Sequence, residues 1–220
     1  MRICHYIAST GLGRGEFYID LVNEMAKDKS LSVSLIIPLN AKYLNRISSD
    51  IKIIEYKSKD SRYNPFLFIE LLKIFTNNKF DIVHTHFAKA SEIFYKLNKI
   101  LKSTHIATKH NPRKGKIFNK LKYVTAVSDD VKKSIKHDNV KIIYNGLTPI
   151  NLEETNKNKV FTIRAIGRLD KIKGFDILIK ELSKVKNEYI LEIVGDGDER
   201  KNLEELIKES DLTTKIKLIG

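Results

Sequence analysis

The feature that most constrains this chain is an alternation. Short apolar, β-branched runs recur along it, several of them continuously apolar, and the segments between them space their apolar residues three and four apart. An uninterrupted apolar run suits a strand covered on both faces, and three-four spacing suits a helix packed along one stripe. The runs are Ile3–Ile7, Val33–Ile37, Ile51–Glu55, Ile82–His84, His105–Thr108, Tyr123–Val127, Val140–Tyr144, Val160–Ile166, Tyr189–Val194 and Ile216–Ile219. The helical segments are Phe17–Lys27, Asn64–Phe75, Ser91–Lys102, Asp129–Lys136, Phe175–Val185 and Glu199–Glu209. The clearest is Asn64–Phe75: Asn64 can cap, Pro65 suits the first turn, and Phe68, Leu71, Leu72 and Phe75 form one stripe. Strand and helix in turn imply an α/β protein with a parallel sheet and right-handed crossovers.

Residues 149–159 interrupt the pattern. This polar stretch, Pro149–Lys159, follows the Asn145-Gly146 turn and carries no apolar period, so it reads as an interdomain linker. It separates residues 1–148, a complete α/β domain, from residues 160–220, a βαβαβ unit ending just after its third strand. Half of a doubly wound sheet leaves an edge and a helix face uncovered, so this second domain is expected to be incomplete.

Charge divides along the same line. Of 40 basic and 27 acidic residues, 26 and 13 fall in residues 1–150, and 14 and 14 in the remainder, so the whole +13 excess lies in the first part. Lys89–Lys122 alone holds ten basic residues against one acid, Glu92. An anionic partner for the first domain is one reading: lipid headgroups, nucleic acid or a phosphorylated substrate. A solvated basic face is the other. The single cysteine, Cys4, leaves no intramolecular disulfide and no cysteine-based zinc cluster, which fits a reducing compartment. No apolar run approaches the roughly 20 residues of a membrane span, and Met1–Ile7 reads as a strand, not a signal peptide.

Three glycine-containing turns sit at strand ends, where open α/β sheets bind ligands. In Ser9–Glu16 the glycines Gly11, Gly13 and Gly15 fall every second residue, which is not the dinucleotide fingerprint. Ile166–Gly174 places Arg168 and Lys173 on a loop ending at a helix start, a combination suited to phosphate, or to ion pairs with Asp170 or Asp176. In Ile193–Arg200, Gly195 and Gly197 bracket Asp196; the turn can bring backbone close to a nucleotide, or simply precede a helix capped by Asp198.

Taken in order, these motifs resemble the GT-B glycosyltransferases of the family 4 type. Ala165–Ile179, Leu191–Arg200 and Ile216–Gly220 are similar to that family's donor-domain signature. Asp81–His86, Ala107–His110, Val124–Ser128 and Ile142–Gly146 resemble its successive strand-end motifs in the other domain. The resemblance spans nearly the whole chain. It implies a GT-B architecture: an N-terminal Rossmann-like domain on the acceptor side and a partial C-terminal Rossmann-like domain for a nucleotide-sugar donor.

The resemblance also implies roles. Arg168 and Lys173 match the basic pair that holds the donor diphosphate, where fixed cations meet the charge developing on the leaving group. His110 matches the histidine near the reacting sugar. Gly13, Arg14 and Gly15 form the substrate loop, and Gly195, Asp196 and Gly197 lie near the nucleotide. The implied chemistry is retaining and metal-independent, with no cofactor beyond a donor such as a UDP- or GDP-sugar. Two departures are visible: Arg14 stands where the family has a second adjacent glycine, and the family's pair of glutamates seven residues apart would lie beyond Gly220. His84 and His86 are read here as facing opposite ways on their strand, unable to share a ligand.

The basic stretch then suits an acceptor held at a membrane. In Ser91–Lys102, Ile93, Phe94, Leu97, Ile100 and Leu101 make one face and Lys96, Lys99 and Lys102 the other, followed by Arg113, Lys114 and Lys116. Such a surface can attach electrostatically to an anionic bilayer and reach a lipid-linked saccharide or lipopolysaccharide-core acceptor. The expectation is a cytoplasmic enzyme, peripheral at the inner membrane, with no nucleic-acid partner. A catalytically inactive remnant and a basic nucleic-acid-binding module are the alternatives.

Overall fold

The computed structural model describes residues 1–11, 17–113, 115–146 and 160–220. The chain divides into two compact units, Met1–Pro149 and Ile150–Gly220. The expected linker, residues 149–159, lies outside the described residues, as do Gly13, Arg14, Gly15 and Lys114.

The first unit runs β1 (Arg2–Ile7), α1 (Phe17–Lys27), β2 (Ser32–Pro38), β3 (Lys52–Tyr56), α2 (Pro65–Asn78), β4 (Ile82–His86), α3 (Phe87–Leu101), β5 (Thr104–Lys109), β6 (Tyr123–Ala126), α4 (Asp129–Lys133) and β7 (Val140–Ile142). Its seven strands are all parallel, in the order β3-β2-β1-β4-β5-β6-β7. The central strands β1 and β2 are buried on both faces after their first residue, as their uninterrupted apolar runs demand, whereas edge strand β3 is half exposed.

Helices cover both faces. On one, α2 and α3 pack Leu67, Leu71, Phe75, Ile93, Phe94 and Leu97 onto Cys4, Tyr6, Ile36 and Val83. On the other, α1 packs Tyr18, Ile19 and Val22 onto Ile7, Val33, Leu35 and Ile37. The start of α2 follows from local chemistry: Asn64 Oδ1 accepts from Phe66 N at 3.1 Å, and Pro65 occupies the first helical position.

The second unit is β8 (Thr162–Ile166), α5 (Phe175–Leu182), β9 (Ile190–Val194), α6 (Arg200–Glu209) and β10 (Ile216–Ile219), with parallel strands in the order β10-β9-β8. Leu169, Ile179, Leu191 and Ile193 are fully buried at its centre.

Several boundaries differ from expectation. Helix α3 begins at Phe87, not Ser91, because β4 turns straight into it. Helices α4 and α5 stop three residues early, at Lys133 and Leu182. Ile100, expected on the packed face of α3, is 69% exposed in its last turn. Asp198 does not cap α6; the cap position is Glu199, with no side-chain cap bond.

Candidate active site

The order of the large sheet reverses between β1 and β4, and the crevice at the carboxyl ends of such strands is where open α/β sheets bind ligands. Four histidines converge there: His5 from β1, His84 and His86 from β4, and His110 just after β5. The register sets His5 beside His84, Ile7 beside His86, and Thr108 beside both His86 and Thr125. On this face a cavity of about 690 Å³ opens, lined by Phe17 and Leu21 of α1 and by His84, His86, Thr108 and His110. The expectation that His84 and His86 face opposite ways is wrong. Strand side chains repeat every two residues, so the pair shares one face, with ring centroids 4.4 Å apart.

The imidazoles are joined in series. His5 Nδ1 meets His86 Nε2 at 3.0 Å, and His86 Nδ1 meets His110 Nε2 at 3.2 Å. His84 takes a separate route, its Nε2 lying 2.6 Å from Thr108 Oγ1, which in turn meets Thr125 Oγ1 at 2.7 Å. Two nitrogens, His5 Nε2 and His110 Nδ1, are buried with no protein partner.

His110 sits between two aromatic rings, Phe17 at 4.6 Å and Phe87 at 4.5 Å. Phe87 reaches it from a left-handed backbone, φ 66°, at the strand-to-helix joint. A bulky residue there carries of order 1–3 kcal/mol of strain, which the surrounding packing must hold. Desolvation in this apolar setting penalises the charged imidazole. Burial, with the nearby His84 ring adding to it, pulls His110 down to about 3, and burial pulls His84 down to about 4. His5 and His86 lie well below the ordinary histidine value for the same first cause, reinforced by their neighbours in the cluster. All four are therefore neutral at pH 7.

Ligand atoms of His5, His84 and His86 all lie within 4.8 Å of one another, and this is the group of metal-ligand type found among the described residues. Neutral imidazoles suit a borderline ion such as zinc. Here, however, His5 and His86 already bond to each other, and His84 Nε2 already bonds to Thr108.

In the second unit the loop after β8 and the loop after β9 lie backbone to backbone. Gly167 N donates to Val194 O at 3.0 Å, Leu169 N to Asp196 O at 2.9 Å, and Glu199 N to Leu169 O at 3.0 Å. The two glycines are there for that contact. A Cβ on Gly195 (φ 149°) would sit 2.0 Å from Gly167 O, and one on Gly197 (φ 158°) 2.3 Å from Leu169 O. Asp196 Oδ1 accepts from Gly197 N at 2.9 Å. Arg168, with its side chain 68% exposed, pairs through Nε and Nη2 with Asp170 Oδ2, and this bond holds the Asp170 carboxyl below its usual range. Asp170 Oδ1 accepts from Lys173 N at 3.2 Å, and Gly174, in the left-handed region, starts α5. The ion-pair alternative is thus the arrangement seen for Arg168.

The basic stretch is not one surface. Lys109 is buried, donating to Ser134 Oγ at 2.8 Å; Lys89 pairs with Asp60; and Lys96 lies 3.5 Å from Glu92 and over the Tyr63 ring. Lys96, Lys99 and Lys102 are exposed on or just after α3, as are Arg113 and Lys116 beyond β5.

The architecture is α/β of the GT-B type, and the comparisons extend that. Residues 18–149 match Glycosyltransferase Family 4 and residues 149–220 match Glycosyl transferases group 1. The chain belongs to Glycosyltransferase Family 4. A lipopolysaccharide core biosynthesis glycosyltransferase, LpsD of Rhizobium meliloti, is 42% identical over 60 residues, 27% of this chain and 17% of LpsD. An uncharacterized glycosyltransferase of Haemophilus influenzae is 38% identical over 78 residues, 34% of this chain and 22% of its own. The crystal structure of Anabaena Alr3699/HepE in complex with UDP superposes on all of this chain with a TM-score of 0.80 at 17% identity, 69% of that protein being covered. The aligned stretches are thus under a quarter of the two sequence relatives. Among the described residues no helix is long and apolar enough to cross a membrane.

Proposed function

We propose that the protein transfers a sugar from a nucleotide-diphosphate sugar to a saccharide or lipid-linked saccharide acceptor in bacterial envelope polysaccharide or lipopolysaccharide synthesis. The observation that carries this is the pair of interlocked glycine loops in the second unit, which hold Arg168 and Lys173 beside the start of α5. A diphosphate there meets a planar guanidinium, an ammonium and a helix N-terminus. Arg168 exchanges Asp170 for a phosphate oxygen when donor binds. As the anomeric C–O bond to the diphosphate breaks, these cations take up the charge on the leaving oxygen. The acceptor hydroxyl oxygen forms the new bond to the same carbon with retention, and its proton leaves with the diphosphate. Gly195–Gly197 keeps the neighbouring backbone close to the nucleotide, and His110 holds a sugar hydroxyl. No metal or cofactor takes part. The exposed lysines Lys96, Lys99 and Lys102, with Arg113 and Lys116, attach the first unit to an anionic membrane from the cytoplasmic side.

Calorimetry with UDP and GDP tests the reading. The chain is expected to bind one of them at micromolar concentration, and Arg168→Ala is expected to abolish binding while Lys208→Ala, exposed on α6, leaves it unchanged. No binding of either nucleotide refutes the donor site. The Arg168–Asp170 pair favours the second reading in that event: a remnant whose Arg168 is internally neutralised.

A further inference from the structure

We infer that the outer side of α2 and the turn before it form an apolar wedge, Tyr63, Phe66 and Ile69, which enters an anionic phospholipid bilayer while neighbouring lysines hold the headgroups. This rests on the proposed membrane attachment of the first unit and changes its nature, from charge alone to charge with insertion.

The inner stripe of α2 is taken up by the core, where Leu67, Leu71 and Phe75 are buried. A helix packed in this way ordinarily turns polar residues outward. The first turns of α2 do the opposite. Tyr63 is 84% exposed, Phe66 73% and Ile69 54%. Phe66 and Ile69 are neighbours on the helix surface, and exposed Lys73 continues the same side one turn further on. One exposed apolar residue is ordinary, but a contiguous set of large ones marks a contact surface.

The basic face of α3 joins this surface. Lys96 Nζ lies 5.4 Å from the centre of the Tyr63 ring and 5.7 Å from that of Phe68, so it bridges the two helices. Lys99, Ile100 and Lys102 follow it, all exposed. The acids nearby are already engaged. Glu70 accepts from Lys57 N at 2.8 Å and Ser58 N at 2.9 Å, and Asp60 pairs with Lys89. Glu92 is shared between Arg62 at 2.9 Å and Lys96 at 3.5 Å. Lys73, Lys99 and Lys102 have no carboxylate partner among the described residues.

Unpaired lysines beside bare rings and aliphatic chains suit a bilayer, because headgroup phosphates answer the charge and acyl chains take the apolar side chains. Duplex DNA would answer only the lysines and leave Phe66 and Ile69 in water. The placement also leaves the candidate site clear. The wedge stands on the α2–α3 side of the sheet, whereas the cavity that holds His84, His86 and His110 opens on the side bordered by α1. A membrane seated on the first side does not cover the second.

The chain contains no tryptophan, so Phe66→Trp introduces a single indole at the centre of the wedge. The full chain is mixed with phosphatidylglycerol–phosphatidylcholine vesicles, and its emission and its quenching by brominated acyl chains are read. The expected result is a blue shift with quenching on these vesicles and neither on phosphatidylcholine alone. Lys208→Trp, exposed on α6, is expected to show neither on either vesicle. Phe66→Ala/Ile69→Ala is expected to weaken vesicle binding by about tenfold or more with an unchanged thermal midpoint, since both side chains face water in the free chain. Salt-sensitive binding with unshifted emission from Phe66→Trp overturns insertion and leaves attachment by charge. Absence of binding overturns both, while the donor site stands or falls on nucleotide calorimetry. A blue shift without lipid that grows with protein concentration assigns the wedge to a second copy of the chain, and also overturns the inference.

Discussion

Acidification should unfold the first unit selectively, and the size of the effect can be worked from its histidines. Five of them, His5, His84, His86, His105 and His110, are held neutral by burial, with His105 and His110 pulled down to about 3 and His84 to about 4. Each is depressed below its unfolded value near 6.5, so its contribution to stability is complete above that value. It is lost progressively as pH falls from there towards the folded values, because the unfolded chain binds protons that the folded chain refuses. Between about pH 7.5 and about pH 5.5 each such site costs roughly a factor of ten in the folding constant, and five sites together cost about 7 kcal/mol. That is comparable with the whole stability of a typical domain, about 5–15 kcal/mol. The second unit contains no histidine and should barely respond. Pulse proteolysis in urea, with fragments assigned to one unit or the other, reads the two midpoints separately. The midpoint of the first unit should fall steeply with acid while that of the second holds. His105→Gln, which replaces the ring bonded at 2.8 Å to Thr85 Oγ1, should flatten the dependence by about one proton's worth. Equal sensitivity of both units, or a first-unit midpoint unmoved at about pH 5.5, would refute the account of a neutral buried cluster.

Gly195→Ala should destabilise the second unit by at least about 2 kcal/mol in urea unfolding, since its Cβ meets a backbone oxygen at 2.0 Å and cannot be accommodated by a side-chain shift. Gly146→Ala, with nothing within 4 Å, should leave the first unit within about 0.5 kcal/mol of its starting stability. Leu71→Ala, fully buried between α2 and the sheet, should cost about 2–5 kcal/mol, against less than about 0.5 kcal/mol for Phe66→Ala on the exposed side of the same helix. Sedimentation with anionic vesicles should show binding that weakens with salt and falls in Lys99→Ala/Lys102→Ala, with no retention on duplex DNA; retention on DNA alone would favour a nucleic-acid module.

The alternation of apolar runs was enough to place the ten strands and six α-helices of the described residues, because the apolar residues of each strand stay grouped even where a polar one such as Arg164 or His84 interrupts them. The ends of elements were less legible. The α3 start depends on a left-handed Phe87, and a residue type that disfavours that conformation leaves no trace of it in sequence. Of the site, His110, Arg168 and Lys173 could be singled out from motif and loop context. His5 could not: one polar residue in a strand is ordinary, and only parallel pairing across β1 and β4 brings it to His86. The two-residue spacing of His84 and His86 did carry the signal that they share a face. The glycines at 195 and 197 were visible as a turn, but the reason for them, a second loop lying on their backbone, is a contact between segments nearly thirty residues apart.

The joint at Phe87 has a mechanical meaning. Strand β4 passes into α3 with no residue between them, so there is no slack to absorb a tilt of that helix. Lengthening the chain by a single residue at this point would leave His86 in its strand register but carry the Phe87 ring off the His110 imidazole, 4.5 Å away, while the same insertion in an ordinary surface loop would pass unnoticed.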